Sequence, residues 1–172
     1  MLEIGRGNRP DLYNLRFQSP KPFVPRHLRF ELRERLDASG QIVTPIALQD
    51  LTAIAQACKD AAVDAVGIIF LHSYANPVHE QAAATALAAL LPGVTICASH
   101  EISREWREYE RSNTVALNAY VQPIIKRYFA RLETALAAKG IDCPYYAMQS
   151  NGGIATFQQA VERPLTLVES GP

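Results

Sequence analysis

Three polar segments of this 172-residue chain carry the residue types that chemistry needs, and each follows an apolar run or opens a helical pattern. The first is His72-Ser73-Tyr74-Ala75-Asn76-Pro77-Val78-His79-Glu80, behind the most apolar stretch, at the end of a strand where α/β proteins place ligands. His72 and His79 are the side chains there that could bind a metal or carry a proton. Their surroundings lack metal-ligand spacing, and the simpler reading is that Ser73, Asn76 and His79 satisfy backbone groups and cap the next helix. The second segment is Glu108-Tyr109-Glu110-Arg111-Ser112-Asn113-Thr114, leading into Asn118-Ala119-Tyr120. Acidic residues in a first helical turn complement the helix dipole, which accounts for Glu108 and Glu110. Asn113, Thr114, Asn118 and Tyr120 prefer caps and contacts, and they mark this segment as a candidate cleft lining. The third is Gln149-Ser150-Asn151-Gly152-Gly153, where adjacent glycines allow close backbone approach and exposed N–H groups would suit an anion. A plain turn explains the same residues.

No self-sufficient catalytic motif accompanies them. The chain has no Gly-x-x-x-x-Gly-Lys phosphate loop, no Gly-x-Ser-x-Gly elbow, no His-Glu-x-x-His and no Gly-x-Gly-x-x-Gly. No residue is assigned a catalytic step, and none a metal.

The elements that must position these segments follow an α/β rhythm. Pro10, Pro20, Pro22 and Pro25 make the first 27 residues a loop-rich entry. Residues 28–33 alternate apolar and polar at period two, residues 37–40 supply turn chemistry, and residues 41–44 return, which predicts a hairpin. Leu48, Leu51, Ala55, Cys58 and Ala62 form a helical stripe. Residues 66–71 predict a strand buried on both faces. Pro77 opens a second helix that runs to Leu91, Pro92-Gly93 ends it, and residues 94–97 predict another strand. Residues 108–139 read as one long helix, with Leu117, Val121, Ile124, Tyr128, Leu132 and Leu136 on one face. Pro123 predicts a kink or break, and Gly140 a stop. A strand over 145–148, a turn over 150–153, a helix over 157–162 and a last strand over 165–168 complete the pattern.

Composition bounds the function classes. The chain is 48% hydrophobic and 20% charged, ordinary for a globular protein with one domain or two small lobes. Seventeen basic and 17 acidic residues balance, so no global field points to nucleic acid or a membrane surface. No apolar run approaches the ~20 residues that cross a bilayer, which together with the missing leader pattern predicts a cytoplasmic protein. Cys58, Cys97 and Cys143 are odd in number and widely spaced, and are expected as three small buried hydrophobes.

Taken in order, several segments resemble the hydantoinase A and oxoprolinase family. They are Glu3-Ile4-Gly5-Arg6-Gly7-Asn8-Arg9-Pro10-Asp11-Leu12-Tyr13, Phe70-Leu71-His72-Ser73-Tyr74-Ala75-Asn76-Pro77, Arg107-Glu108-Tyr109-Glu110-Arg111, Asn118-Ala119-Tyr120-Val121 and Met148-Gln149-Ser150-Asn151-Gly152-Gly153. Leu167-Val168-Glu169-Ser170-Gly171-Pro172 looks like the start of that family's Ser-Gly-Pro-Ala-Gly-Gly segment. The resemblance implies part of an actin-like ATPase fold, incomplete at both ends. Residues 1–107 would end a first lobe, residues 108–140 would form a connecting helix, and residues 141–172 would begin a second lobe. It also implies ATP and a divalent metal, Mg or Mn, in the complete enzyme. A carbonyl oxygen would be phosphorylated so that a cyclic amide of the hydantoin or 5-oxoproline type can be opened. A hydantoinase B-like second subunit is the implied partner. Two other readings are an acetone or acetophenone carboxylase subunit and a non-catalytic subunit-contact protein. The family's Asp-x-Gly-Gly-Thr phosphate turns are missing from this sequence, so the chain is expected to be inactive alone and to hold ATP weakly. Arg111, Asn113, Asn118, Tyr120, Ser150, Asn151, Gly152 and Gly153 are the residues expected to border the cleft.

Overall fold

The computed structural model describes residues 2–6, 11 and 13–168. Residues 7–10 of the first family-like segment and the Ser-Gly-Pro segment at 170–172 lie outside them. In chain order the elements are β1 (Arg35–Leu36), β2 (Ile42–Thr44), α1 (Leu51–Asp60), β3 (Ala65–Ile68), α2 (Val78–Leu90), β4 (Thr95–Ala98), α3 (Ser99–Ile102), α4 (Glu108–Ala138), β5 (Tyr146–Met148), β6 (Ile154–Thr156) and α5 (Phe157–Glu162). The mixed helix-and-sheet architecture agrees with the α/β reading.

The centre is a β-α-β unit. β3 and β4 pair in parallel with Val66 opposite Ile96 and Gly67 opposite Cys97, and α2 makes the crossover. Leu51, Ala55 and Cys58 of α1 and Ala83 and Leu87 of α2 cover one face of this pair together with Ile68 and Leu91. Val115 and Ala119 of α4 cover the other face around Cys97. Close approach of α4 depends on Gly67, because a Cβ there would stand 2.9 Å from Val115 Cγ1. A third cluster joins the far half of α4 to the C-terminal elements. Phe129 meets Phe157 with ring centroids 4.3 Å apart, and Tyr145 stacks on Phe157 at 5.6 Å.

Several expectations are corrected. The hairpin is present, but its first strand is Arg35–Leu36 and not 28–33; residues 26–28 form a 3-10 turn. Asp37 Oδ1 accepts hydrogen bonds from the Ser39 N–H, the Ser39 hydroxyl and the Gln41 N–H, and these partners hold its carboxyl below the usual range. α1 begins at Leu51, and Ala62 lies beyond its end with φ +51°, exposed, so Leu48 and Ala62 are not on the buried stripe. β3 is shorter than the expected residues 66–71, and among the described strands it pairs with β4 alone.

α4 runs unbroken through Pro123, so the expected break is absent. Its buried side chains are Arg111, Ser112, Val115, Asn118, Ala119 and Phe129, while Leu117, Ile124 and Tyr128 of the expected core stripe are exposed. Gly140, at φ +70°, ends α4 as expected, with Gly140 N–H donating to Ala137 O and Ile141 N–H to Leu136 O. Residues 165–168 are not a strand. Pro164 fixes the first φ of a 3-10 turn, Pro164–Leu167, and Thr166 N–H bonds back to Arg163 O. Cys58 and Cys97 are buried but Cys143 is exposed, because it lies in the open connection between α4 and β5.

Gly67→Ala is expected to destabilise the protein by about 1–3 kcal/mol through overpacking against Val115. Urea denaturation checks this; an unchanged midpoint would contradict close packing of α4 on β3.

Candidate functional site

The C-terminal ends of β3 and β4 are tied together by one buried carboxylate. Glu80, on the first turn of α2, is fully buried. Its Oε1 accepts from the Phe70 N–H at 2.9 Å and the Ser99 hydroxyl at 2.6 Å. Its Oε2 accepts from the His100 N–H and from His100 Nδ1, both at 2.9 Å. The Ser73 hydroxyl extends the network through Ser99. From the other side, Arg111 Nη2 donates to Phe70 O at 2.6 Å and Nη1 to Glu105 O at 3.0 Å, with the guanidinium 5.7 Å from the Tyr74 ring centre. The Phe70 peptide is thus clamped between a buried anion and a buried cation.

This network answers the question posed by the first polar segment. His79 Nδ1 contacts Glu34 Oε2 at 2.8 Å, whereas His72, at φ +61°, contacts the Tyr74 hydroxyl at 3.2 Å through its own Nδ1. The two histidines therefore have different partners and do not converge. Asn76 Oδ1 accepts from Val78 N–H at the start of α2, as a cap would, and Asn76 Nδ2 donates to Gly40 O. Among the described residues, no three His, Cys, Asp or Glu side chains group as a metal site.

The second segment divides into three places. Arg111 belongs to the buried clamp and not to an open cleft. Tyr120 is 74% exposed and lies along an apolar groove of about 800 Å³ that runs past Phe23, Val66, Pro123 and Ile124. Asn113 is half-buried. Asn118, by contrast, is 1% exposed and lines a separate polar cavity of about 470 Å³.

That cavity lies where three pieces of the chain meet. β4 and α3 contribute Ile96, Cys97, Glu101 and Ile102, α4 contributes Asn118 and Gln122, and the end of α5 contributes Glu162 and Arg163. Asn118 Nδ2 donates to Glu162 O at 3.3 Å and points at Cys97 Sγ at 3.8 Å. The Cys97 thiol donates to Gln122 Oε1 at 2.6 Å. Burial pushes this thiol up to about 11, the Glu101 carboxylate adds to the rise, and the Asn118 hydrogen bond opposes it. Cys97 is therefore a neutral donor at neutral pH and a poor nucleophile. Asn118 Oδ1 is buried and has no hydrogen-bond partner. Such an atom costs about 1–3 kcal/mol when left alone, so a ligand or water that donates to it is favoured there.

The third segment folds as a hairpin turn between β5 and β6. Gln149 N–H donates to Gly153 O, Ser150 N–H to Thr166 O, Gly152 N–H to Gln149 O, and Gly153 N–H to Asn151 Oδ1. The Ser150 hydroxyl donates to the Thr166 and Val168 carbonyls. Gly152, at φ +81°, makes the turn possible. The N–H groups of Ser150, Gly152 and Gly153 are thus committed within the turn and its neighbours. Residues 150–153 by themselves therefore lack the set of free N–H groups that would cradle a phosphate.

Comparison with known proteins places this geometry. The family model for the hydantoinase/oxoprolinase N-terminal region matches residues 1–91, and the hydantoinase/oxoprolinase model matches residues 111–172. The chain belongs to the hydantoinase/oxoprolinase family. It is 35% identical to the caprolactamase subunit alpha of Pseudomonas jessenii, over 99% of this chain and 25% of that one. The crystal structure of the ATP-dependent caprolactamase from that organism superposes with a TM-score of 0.88 over 99% of this chain and 25% of the other. The acetone carboxylase beta subunit of Xanthobacter autotrophicus is 31% identical over 88% of this chain and 21% of its own length. The chain thus spans about a quarter of the length of the curated relatives it matches.

Asn118 stands out in the sequence, whereas the residues that line the cavity beside it do not. Gln122 was legible in principle, since it stands four residues from Asn118 on a helix and shares its face. Cys97, Glu162 and Arg163 are brought in by tertiary packing, which no local pattern announces.

The thiols give a direct check. In native protein at pH 8, an aromatic disulfide reagent is expected to modify Cys143 rapidly, with Cys58 and Cys97 reacting only on unfolding. Rapid native labelling of Cys97 would contradict its buried, hydrogen-bonded state.

Proposed function

We propose that this chain is part of an ATP-dependent enzyme that opens a cyclic amide, with the polar cavity at Asn118 contributing to amide binding. The observation that carries the reading is the likeness of 99% of this chain to a quarter of the ATP-dependent caprolactamase, at 35% identity and a TM-score of 0.88. The cavity supports it, because Asn118 and Gln122 set two neutral amide groups beside a neutral thiol on one wall, while Glu101, Glu162 and Arg163 complete the lining. Under this reading the parent fold is actin-like, with α4 as the helix that connects two lobes. ATP and a divalent metal, Mg or Mn, serve the complete enzyme, and their binding is not assigned to the residues described. A second subunit is the expected partner, since the relatives include alpha and beta subunits of larger enzymes. No described helix is long and apolar enough to cross a membrane.

The likeness to an acetone carboxylase beta subunit favours a second reading, in which the same site serves a ketone carboxylation. ADP release by the full gene product containing these residues, with any copurifying partner, separates the two. Stimulation by ε-caprolactam or 5-oxoproline without bicarbonate is the expected result. Stimulation only by acetone with bicarbonate would replace the hydrolase reading with the carboxylase one. No stimulation by either would leave a subunit-contact role.

A further inference from the structure

The polar cavity holds two unspent hydrogen-bonding atoms of opposite kind on one helix face. Asn118 Oδ1 is a buried acceptor without a partner. Its orientation is fixed, because the Glu162 carbonyl oxygen can only accept and therefore demands the Nδ2 end of the amide at 3.3 Å. That leaves Oδ1 buried and unpartnered on a residue that lines the cavity. One turn further along α4, Gln122 uses Oε1 to accept from the Cys97 thiol. The thiol must donate there, since Cys97 Sγ already faces the Asn118 Nδ2 donor and is protonated at neutral pH. Gln122 Nε2 is therefore presented to the cavity, and it makes no hydrogen bond among the described residues.

A cavity edge with one acceptor and one donor, four residues apart on a helix, matches a ligand edge with one donor and one acceptor. A cis amide has that edge. Ring closure in a lactam or hydantoin forces the carbonyl oxygen and the N–H to the same side, whereas an acyclic secondary amide is trans and points them apart. We infer that Asn118 Oδ1 and Gln122 Nε2 read the cis-amide edge of a cyclic amide, Asn118 accepting its N–H and Gln122 donating to its carbonyl oxygen. This rests on the proposed function for the substrate class, and it adds the residues that select cyclic over open amides and N–H over N-alkyl forms. The Glu101, Glu162 and Arg163 side chains are not needed for this contact, and the buried Cys97 thiol acts only by holding Gln122 in its orientation.

The test is a titration of 15N-labelled protein with ε-caprolactam, N-methyl-ε-caprolactam and acyclic N-methylacetamide, following the side-chain amide signals of Asn118 and Gln122. Saturable shifts of both signals by ε-caprolactam are expected, with the N-methyl lactam and the open amide bound about ten- to a hundred-fold more weakly. Gln122→Met is expected to weaken both lactams about ten-fold while keeping the preference for the N–H form, because it removes only the carbonyl donor. That retained preference separates contact with the amide from a general loss of structure. Equal binding of the N–H and N-methyl lactams, shifts that map away from α4, or no saturable binding would each overturn the inference. Lactam-stimulated ADP release that ignores N-methylation and Gln122→Met would remove this contact and leave the proposed function standing. Selective lactam binding without any stimulated ADP release would do the reverse.

Discussion

A fully buried carboxylate is the constraint on which the rest of the structure depends. Glu80 sits at 0% exposure and would be untenable there without partners, since an isolated buried charge costs far more than the protein's net stability. Four hydrogen bonds satisfy it, and they come from the residue after β3's apolar core, from the turn of α3 and from an imidazole. The same carboxylate therefore fixes where the chain leaves β3, where it leaves β4 and how α2 lies between them. Arg111 repeats the logic from α4 by donating to the carbonyl of the same Phe70. Because α4 is anchored at Arg111, its next three turns present Val115 to Gly67 and then Asn118 and Gln122 to the polar cavity.

Two faces of α4 thus have distinct duties. One face is buried and partly polar, and it forms the clamp and the cavity wall. The other carries Leu117, Tyr120 and Ile124 along an apolar groove. The polar face tolerates burial because its donors meet carbonyl oxygens far away in sequence, 41 residues from Arg111 to Phe70 and 44 from Asn118 to Glu162. Among the described residues, Arg111 Nε and Asn118 Oδ1 are the buried side-chain atoms left over, and the second belongs to a residue that lines the cavity.

Those sequence distances explain which parts were legible in advance. Punctuation residues act locally, so Pro77 before α2 and Gly140 after α4 lie where their chemistry puts them. The face of α4 was not legible, because hydrophobic periodicity assigns apolar residues to the core, and here Leu117, Ile124 and Tyr128 stay outside while Arg111 and Asn118 go in. Residues 165–168 failed for a different reason: an apolar run has no period to choose strand over turn, and Pro164 decided it. Of the site, Asn118 stood out as a polar interruption of a helix, but Cys97 and Glu162 reach it only through packing of β4 and α5.

The central claim is that Glu80 binds β3, α3 and α2 into one cooperative unit, and native-state hydrogen exchange tests it most directly. The Phe70 and His100 amides, both donors to Glu80, are expected to exchange only through global unfolding, with the same denaturant dependence as the slowest amides of α2. Exchange of either amide through a local opening that is insensitive to denaturant would mean the carboxylate is not the fastening point, and the placement of α4 and its cavity would need another cause.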